Sequence, residues 1–289
     1  MNTHTLRTKI WSGLIILLIL TIFTPDISHS AAIPHTNVLD SVVNTFRDQT
    51  ITWGTKAEFY ATRIFFSLAV IGLIWNCGFM VIERADIGAF FATFIRWMIF
   101  VGFFWWLTIN ASKFADDILT SFAMIGADIG NIKETIGPSA PINIGLKVMR
   151  TAITSLRVLH PLDNLTIVIV GLVMLIALGV IAANMLLTLC SAWILAYAGA
   201  LLVGFGAVKW TSDIAINYFR TVLGVAVTYM TMLLIVSLCL STIDGFAEKI
   251  SDGSDTLMSL LVTMIVAVVL SVLVQKIPPM VGSITGNNG

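Results

Sequence analysis

The longest unbroken apolar stretch of the sequence runs from Leu165 to Val208 and carries no formally charged side chain. A bilayer core of about 30 Å takes about 20 helical residues, so the stretch is long enough for two crossings, with its amide Asn184 near the middle as the turn. In its second half Ala192, Ala196, Ala200 and Gly204 recur every fourth residue. That period lines small side chains along one helical face, and small faces let helix backbones approach closely. Polar chemistry returns at Lys209-Trp210-Thr211-Ser212-Asp213. A further apolar run follows from Tyr218 to Ile243, then an acidic linker over 244–255 and a last run from Thr256 to Gln275. Lys276 and the Pro278-Pro279 pair close the membrane part, and 278–289 reads as a flexible tail.

Upstream, Arg7 and Lys9 precede a short apolar run from Ile10 to Phe23, which Pro25 breaks before Ser28-His29-Ser30-Ala31-Ala32. This is the pattern of a secretory signal peptide over 1–30, cut after Ser30 or Ala32, with an uncleaved anchor as the alternative; both place residue 35 across the membrane. Over 31–59, Leu39, Val42, Val43 and Phe46 fall at helix spacing with Asp40, Arg47 and Asp48 on other faces, which predicts an amphipathic periplasmic helix. A transmembrane hairpin follows over 60–109, one span from Tyr60 to Ile82 and one from Gly88 to Ile109. Its second arm ends in Phe103-Phe104-Trp105-Trp106, the aromatic belt expected at headgroup level.

The region 110–164 is extramembrane and helical by pattern. Phe114, Ile118, Phe122, Ile125 and Ile129 form one apolar stripe and Ile144, Val148, Ala152 and Leu156 another, parted by Gly137-Pro138-Ser139-Ala140-Pro141. Asp163 or Asn164 can cap the span that follows. Stripes outside a bilayer need a surface to cover them: a neighbouring subunit, another protein, the membrane surface, or each other.

These elements predict an all-α polytopic membrane protein with a transmembrane core over 165–277. Two crossings of the central run give six mature transmembrane helices; one crossing, with a re-entrant or interfacial part, gives five. Lys209, Arg220 and Lys276 face the cytoplasm only with five, as the positive-inside tendency favours. Hydrophobic length favours six, and length is given the greater weight. The junction from Lys209 to Asp213 has two readings of its own. Trp210 as an interfacial anchor and Asp213 as a helix cap make it structural, whereas Lys209 and Arg220 make it a contact for an acidic partner or a phosphate backbone.

Composition sharpens this picture in two ways. Apolar residues make up 57% of the chain and charged ones 11%, with a mean hydropathy of +0.95, far from a soluble domain. Sixteen basic and sixteen acidic residues balance, so no global field holds nucleic acid. Cys77, Cys190 and Cys239 lie far apart in apolar runs and read as small hydrophobes. No phosphate-binding, zinc-protease, serine-hydrolase or dinucleotide motif is present, and His4, His29, His35 and His160 form no cluster, so the sequence predicts no enzyme, no metal and no cofactor.

Arg96 stands near the middle of a predicted span, where a charge costs about 2.5–3.5 kcal/mol. It faces a bundle interior, a hydrated path or a carboxylate from another subunit, or else bends its long stem to the interface. Asn76 on the preceding span is a candidate partner, through an interhelical hydrogen bond.

Several segments taken together resemble the TrbL family. They are Leu39 to Phe46, Ala85-Asp86-Ile87-Gly88-Ala89-Phe90-Phe91, Gly102 to Leu107, Ser191 to Gly199, Gly204-Phe205-Gly206 with Lys209 to Tyr218, and Lys276-Ile277-Pro278-Pro279. The resemblance implies a multi-pass subunit of the bacterial inner membrane, with its mature N-terminus periplasmic, in a P-type conjugative type IV secretion system. It further implies a role in substrate passage and pilus assembly without catalysis. The implied partners are membrane lipid, further copies of the chain, pilus and inner-membrane complex proteins, and in transit a substrate protein or single-stranded DNA. An autonomous secondary transporter or small-solute channel is the alternative, which inverted repeats would favour; the first hairpin and the later spans show no such similarity.

Overall fold

The computed structural model describes residues 38–82, 86–131, 137–154, 161–251 and 256–286. The signal peptide expected over 1–30 and its cleavage position lie outside them. All described elements are helical. In chain order they are α1 (Val38–Ile82), α2 (Ile87–Ile109), α3 (Ala111–Ile129), α4 (Ala140–Thr154), α5 (Pro161–Trp193), a π-helical turn (Ile194–Ala198), a 3₁₀ helix (Gly199–Ala207), α6 (Ser212–Ser251) and α7 (Thr256–Gly286). Among the described residues, five segments are long and apolar enough to cross a membrane: Leu39–Ile82, Ile87–Ile109, Leu165–Ala207, Ser212–Ile243 and Met258–Ile284.

Three boundaries differ from the sequence reading. The expected turn at Asn184 is absent: α5 runs straight through it, and its Nδ2 donates to the Val180 carbonyl one turn back at 2.8 Å. An amide that satisfies itself on its own helix does not break that helix, so the two crossings that a turn at Asn184 would allow are not built there. The amphipathic stretch before residue 60 and the first span are one uninterrupted helix of 45 residues, about 67 Å long. Finally, α7 continues through Pro278 and Pro279 to Gly286 where a tail was expected. Gly282 explains the continuation: it lies against Gly224 and Thr228 of α6 with no room for a side chain, so packing holds the turn that prolines would otherwise end.

Two apolar clusters share α6 as their common wall. The first gathers Met174, Leu178, Ile181 and Met185 of α5 with Val236, Cys239 and Ile243 of α6 and Leu260, Ala267 and Val274 of α7. The second gathers Phe65 and Ala69 of α1, Phe104 and Leu107 of α2, and Ala111, Ala115 and Leu119 of α3. Ala192, Ala196, Ala200 and Val203 join it, with Tyr218, Val222 and Ala226 of α6. A helix of 40 residues, about 60 Å long, reaches both.

Both α3 and α4 pack within the chain, but α3 does so on a face other than the expected stripe: Ala111, Ala115, Leu119 and Gly126 are buried, whereas Phe114, Ile125 and Ile129 are exposed. Gly126 of α3 sits on Met230, and Phe114 meets Phe219 edge-on with centroids 5.6 Å apart, so α3 lies on α6. In α4, Gly145 abuts Leu175 and Leu178, and Met149 abuts Gly171, so α4 lies on α5. The start of α4 is tied to the start of α1 by a reciprocal pair: the Asp40 amide donates to Ser139 Oγ and the Ser139 amide donates to Asp40 Oδ1, each at 3.2 Å. Each side chain caps the other helix's free amide.

The aromatic run at the end of α2 is split. Phe104 is buried against Gly206, and Trp105 stacks obliquely on Phe65 and Phe66, while Phe103 and Trp106 stay exposed.

Candidate functional site

The small residues expected to line one face, Ala192, Ala196, Ala200 and Gly204, are carried by three kinds of helix. Ala192 lies in the last turn of α5, Ala196 in the π turn, and Ala200 and Gly204 in the 3₁₀ helix. Ala192, Ala196 and Ala200 are all buried. At Gly204 an added Cβ would stand 2.5 Å from the Ala61 carbonyl oxygen and 2.9 Å from its Cα, so the backbones of α1 and the 3₁₀ helix touch. A nine-residue 3₁₀ helix is long for its kind. It persists because its tighter coil repeats every three residues, which turns Ala200, Val203 and Gly206 inward together. Thr108 of α2, fully buried, places its hydroxyl between the Phe104 and Val203 carbonyls at 2.7 and 3.5 Å.

The chain leaves the 3₁₀ helix through Val208 to Thr211 and reverses into α6. The Ser212 amide donates to Val208, the Ile214 amide to Thr211, and Ser212 Oγ to Lys209. Since α6 begins at Ser212, Asp213 is inside its first turn and does not cap it; it favours the helix through its charge at the positive end of the dipole. Trp210 meets Trp75 of α1 edge-on, centroids 5.8 Å apart, and is half exposed.

This turn sits over the hairpin, and between them opens a cavity of about 410 Å³. Its walls bring together four of the residues singled out from sequence, Asn76, Arg96, Lys209 and Trp210, with Trp75, Thr93 and Trp97 beside them. Arg96 has no ion-pair or hydrogen-bond partner among the described residues, and neither does the Lys209 ammonium. Asn76 does not bond across to α2; its Nδ2 donates to the Gly72 carbonyl of its own helix at 2.8 Å. Trp97 Nε1 is buried without an acceptor. It lies 3.8 Å from where a Cβ on Gly72 would be, and that Cβ would press on Val208 at 2.5 Å, so the bare glycine lets the turn, the indole and α1 meet.

Asn184 and Arg220 are elsewhere. Asn184 is in α5, and Arg220 lines a separate, almost wholly apolar depression of about 380 Å³ with Phe103, Leu107, Ile118 and Phe219, its guanidinium 3.5 Å from Asn217 Oδ1. Trp75, Thr93 and Trp97 were legible but unread: Gly72, Trp75 and Asn76, like Thr93, Arg96, Trp97 and Phe100, fall at the three- and four-residue spacing of one helix face.

A second polar cluster, not singled out from sequence, lies where α1, α3 and the π turn meet. The Arg47 guanidinium lies near the Tyr197 side chain. Burial pushes the Asp116 carboxyl above its ordinary range, Arg47 opposing and Asp117 adding to the shift. Ser112 Oγ is buried there without a partner, near Gly54.

The family model described as TrbL/VirB6 plasmid conjugal transfer protein matches residues 69–277, from within α1 to within α7. Among curated proteins, the chain is 23% identical over 229 residues to a probable conjugal transfer protein TrbL of Sinorhizobium fredii (strain NBRC 101917 / NGR234), covering 79% of this chain and 58% of that one. It is also 23% identical over 242 residues to a conjugal transfer protein TrbL of Rhizobium radiobacter, covering 82% and 61%. The chain thus spans about three fifths of the length of these relatives. With the matched region taking in the hairpin, the cavity and both apolar clusters, the chain belongs to the TrbL/VirB6 family of plasmid conjugal transfer proteins.

Proposed function

We propose that this multi-pass membrane protein is an inner-membrane subunit of a conjugative type IV secretion system, forming part of the substrate channel and of the platform on which the pilus is assembled. The observation that carries the reading is the family match over 69–277, joined to conjugal transfer in the names of both relatives. Further copies of the chain, pilus proteins and other inner-membrane subunits are its partners in this reading, and a substrate protein or single-stranded DNA passes in transit.

The arrangement in the membrane that we infer has five crossings and the N-terminal end of α1 in the periplasm. Its support is geometric and electrostatic. The turn carrying Lys209 packs on the half of the hairpin that leads to residues 82–87, so the two belong on one side, and Lys209, Arg220 and Lys276 then favour the cytoplasm. A donor strain lacking the chain is expected to lose plasmid transfer and regain it on complementation; transfer undiminished without it would refute the secretion role. A reporter active only in the periplasm, fused within 209–213, is expected to stay silent while a cytoplasmic reporter there is active. The opposite result overturns the five-crossing arrangement.

A further inference from the structure

Arg96 and Lys209 converge on one cavity, and no carboxylate is among its lining residues. Two cations at an apolar surface call for an anion, and the described residues do not supply one. Charge therefore asks for an anionic group.

The surroundings narrow its source. Ile71, Ile74, Ile95 and Ile99 are each at least half exposed on the two arms of the hairpin that form the cavity wall. Arg96 is about 13 Å along α2 from Ile87, so apolar turns of the hairpin extend past the cavity. Lys209, by contrast, stands just past Val208, beyond Ala207 where the central apolar segment ends. The cavity is thus a polar notch cut into an apolar belt, at the level where one span stops and another continues. An occupant must present an anionic oxygen to the notch and hydrocarbon to the belt.

We propose that the cavity binds the headgroup phosphate of an anionic phospholipid. The Arg96 guanidinium and the Lys209 ammonium pair with the phosphate oxygens, the first able to do so through two parallel N–H groups. Trp75 and Trp210 wall the glycerol region at headgroup level, and the acyl chains lie along the hairpin. The proposal concerns this chain's own cavity and stands whether or not the chain serves secretion.

Native mass spectrometry of the full-length chain tests it, after equal loading with phosphatidylglycerol and phosphatidylcholine of the same acyl chains. One retained phosphatidylglycerol per chain is expected, preferred over phosphatidylcholine. That preference should fall by about fivefold in Arg96→Gln or Lys209→Gln and about twenty-five-fold in the double variant. Arg220→Gln, which removes an equal charge outside the cavity, is expected to leave it intact, and the charge-preserving pair Arg96→Lys with Lys209→Arg to keep most of it while eluting like the parent in size-exclusion chromatography. Equal retention of the two lipids, or a double variant that keeps its preference, would overturn the proposal. Competition separates the remaining sources of phosphate. Displacement of the lipid by inorganic phosphate at equal concentration would make the notch a free-anion site, and displacement by an oligothymidylate, lost in the double variant, would make it a nucleic-acid contact; either result defeats the lipid assignment.

Discussion

The hairpin of α1 and α2 and the bundle of α5, α6 and α7 are both apolar enough to cross a membrane but are packed to different extents. Of the most apolar 18-residue stretch in α6, 56% is buried within the chain, and in α5 with its 3₁₀ extension 44%; in α2 the figure is 6%. The bundle's helices cover one another, whereas the hairpin meets the rest of the chain mainly through the π turn, the 3₁₀ helix and the turn after it, with α1 also touching α3, α4 and α5. Hydrophobicity alone does not pull helices together where the surrounding solvent is hydrocarbon, so the difference comes from side-chain shape. Where small residues stand, backbones meet, as at Gly204 on Ala61; where Ile74, Ile95 and Ile99 stand, the surface is left to the solvent.

The largest effect expected from this contrast follows truncation inside the bundle. Leu178 is fully buried, and Leu178→Ala should lower stability by about 2–5 kcal/mol, whereas Ile74→Ala, at a side chain 67% exposed, should stay within about 0.5 kcal/mol. Thermal unfolding in detergent micelles followed by circular dichroism measures both; equal losses would erase the distinction between the two regions.

Gly204→Ala tests the edge that joins them. The new Cβ would meet backbone atoms of Ala61 and could be relieved only by moving α1 from the 3₁₀ helix, a loss of about 1–3 kcal/mol. Proteolysis at the hairpin should rise in parallel. Unchanged protection would mean that the hairpin is held by something other than this contact.

The smallest effect lies at the seam between α1 and α3. Because burial raises the Asp116 carboxyl above 3.8, the folded chain binds its proton more tightly than the unfolded chain. This contribution favours the fold at low pH and is lost as pH rises above 3.8 through the raised value. Asp116→Asn should therefore be relatively more stable than the parent toward neutral pH and flatten that part of the stability profile. A steeper loss on raising pH in the variant would show that Arg47 outweighs burial there.

What was legible in the sequence follows from chemistry that acts locally. An uncharged run as long as Leu165 to Val208 excludes water whatever it packs against, and the small residues from Ala192 to Gly204 leave room for close packing, although the 3₁₀ coil sets Ala200 and Gly204 about 120° apart and not on one face. Arg96 and Lys209 could be singled out because a charge beside hydrocarbon needs a reason.

Other features were decided only by tertiary structure. Asn184 could turn or continue, and continuation won because its amide is satisfied one turn back. Pro278 and Pro279 could end α7, and did not, because Gly282 fits against Gly224 and Thr228. The meeting of Arg96, Asn76, Trp97 and Lys209 in one cavity joins residues more than a hundred positions apart, across a turn whose placement is set by Gly72 and Val208. Local pattern fixes which face of each helix is apolar or polar, but the depth at which one helix stops against another depends on shape at their contact, and no periodicity carries that.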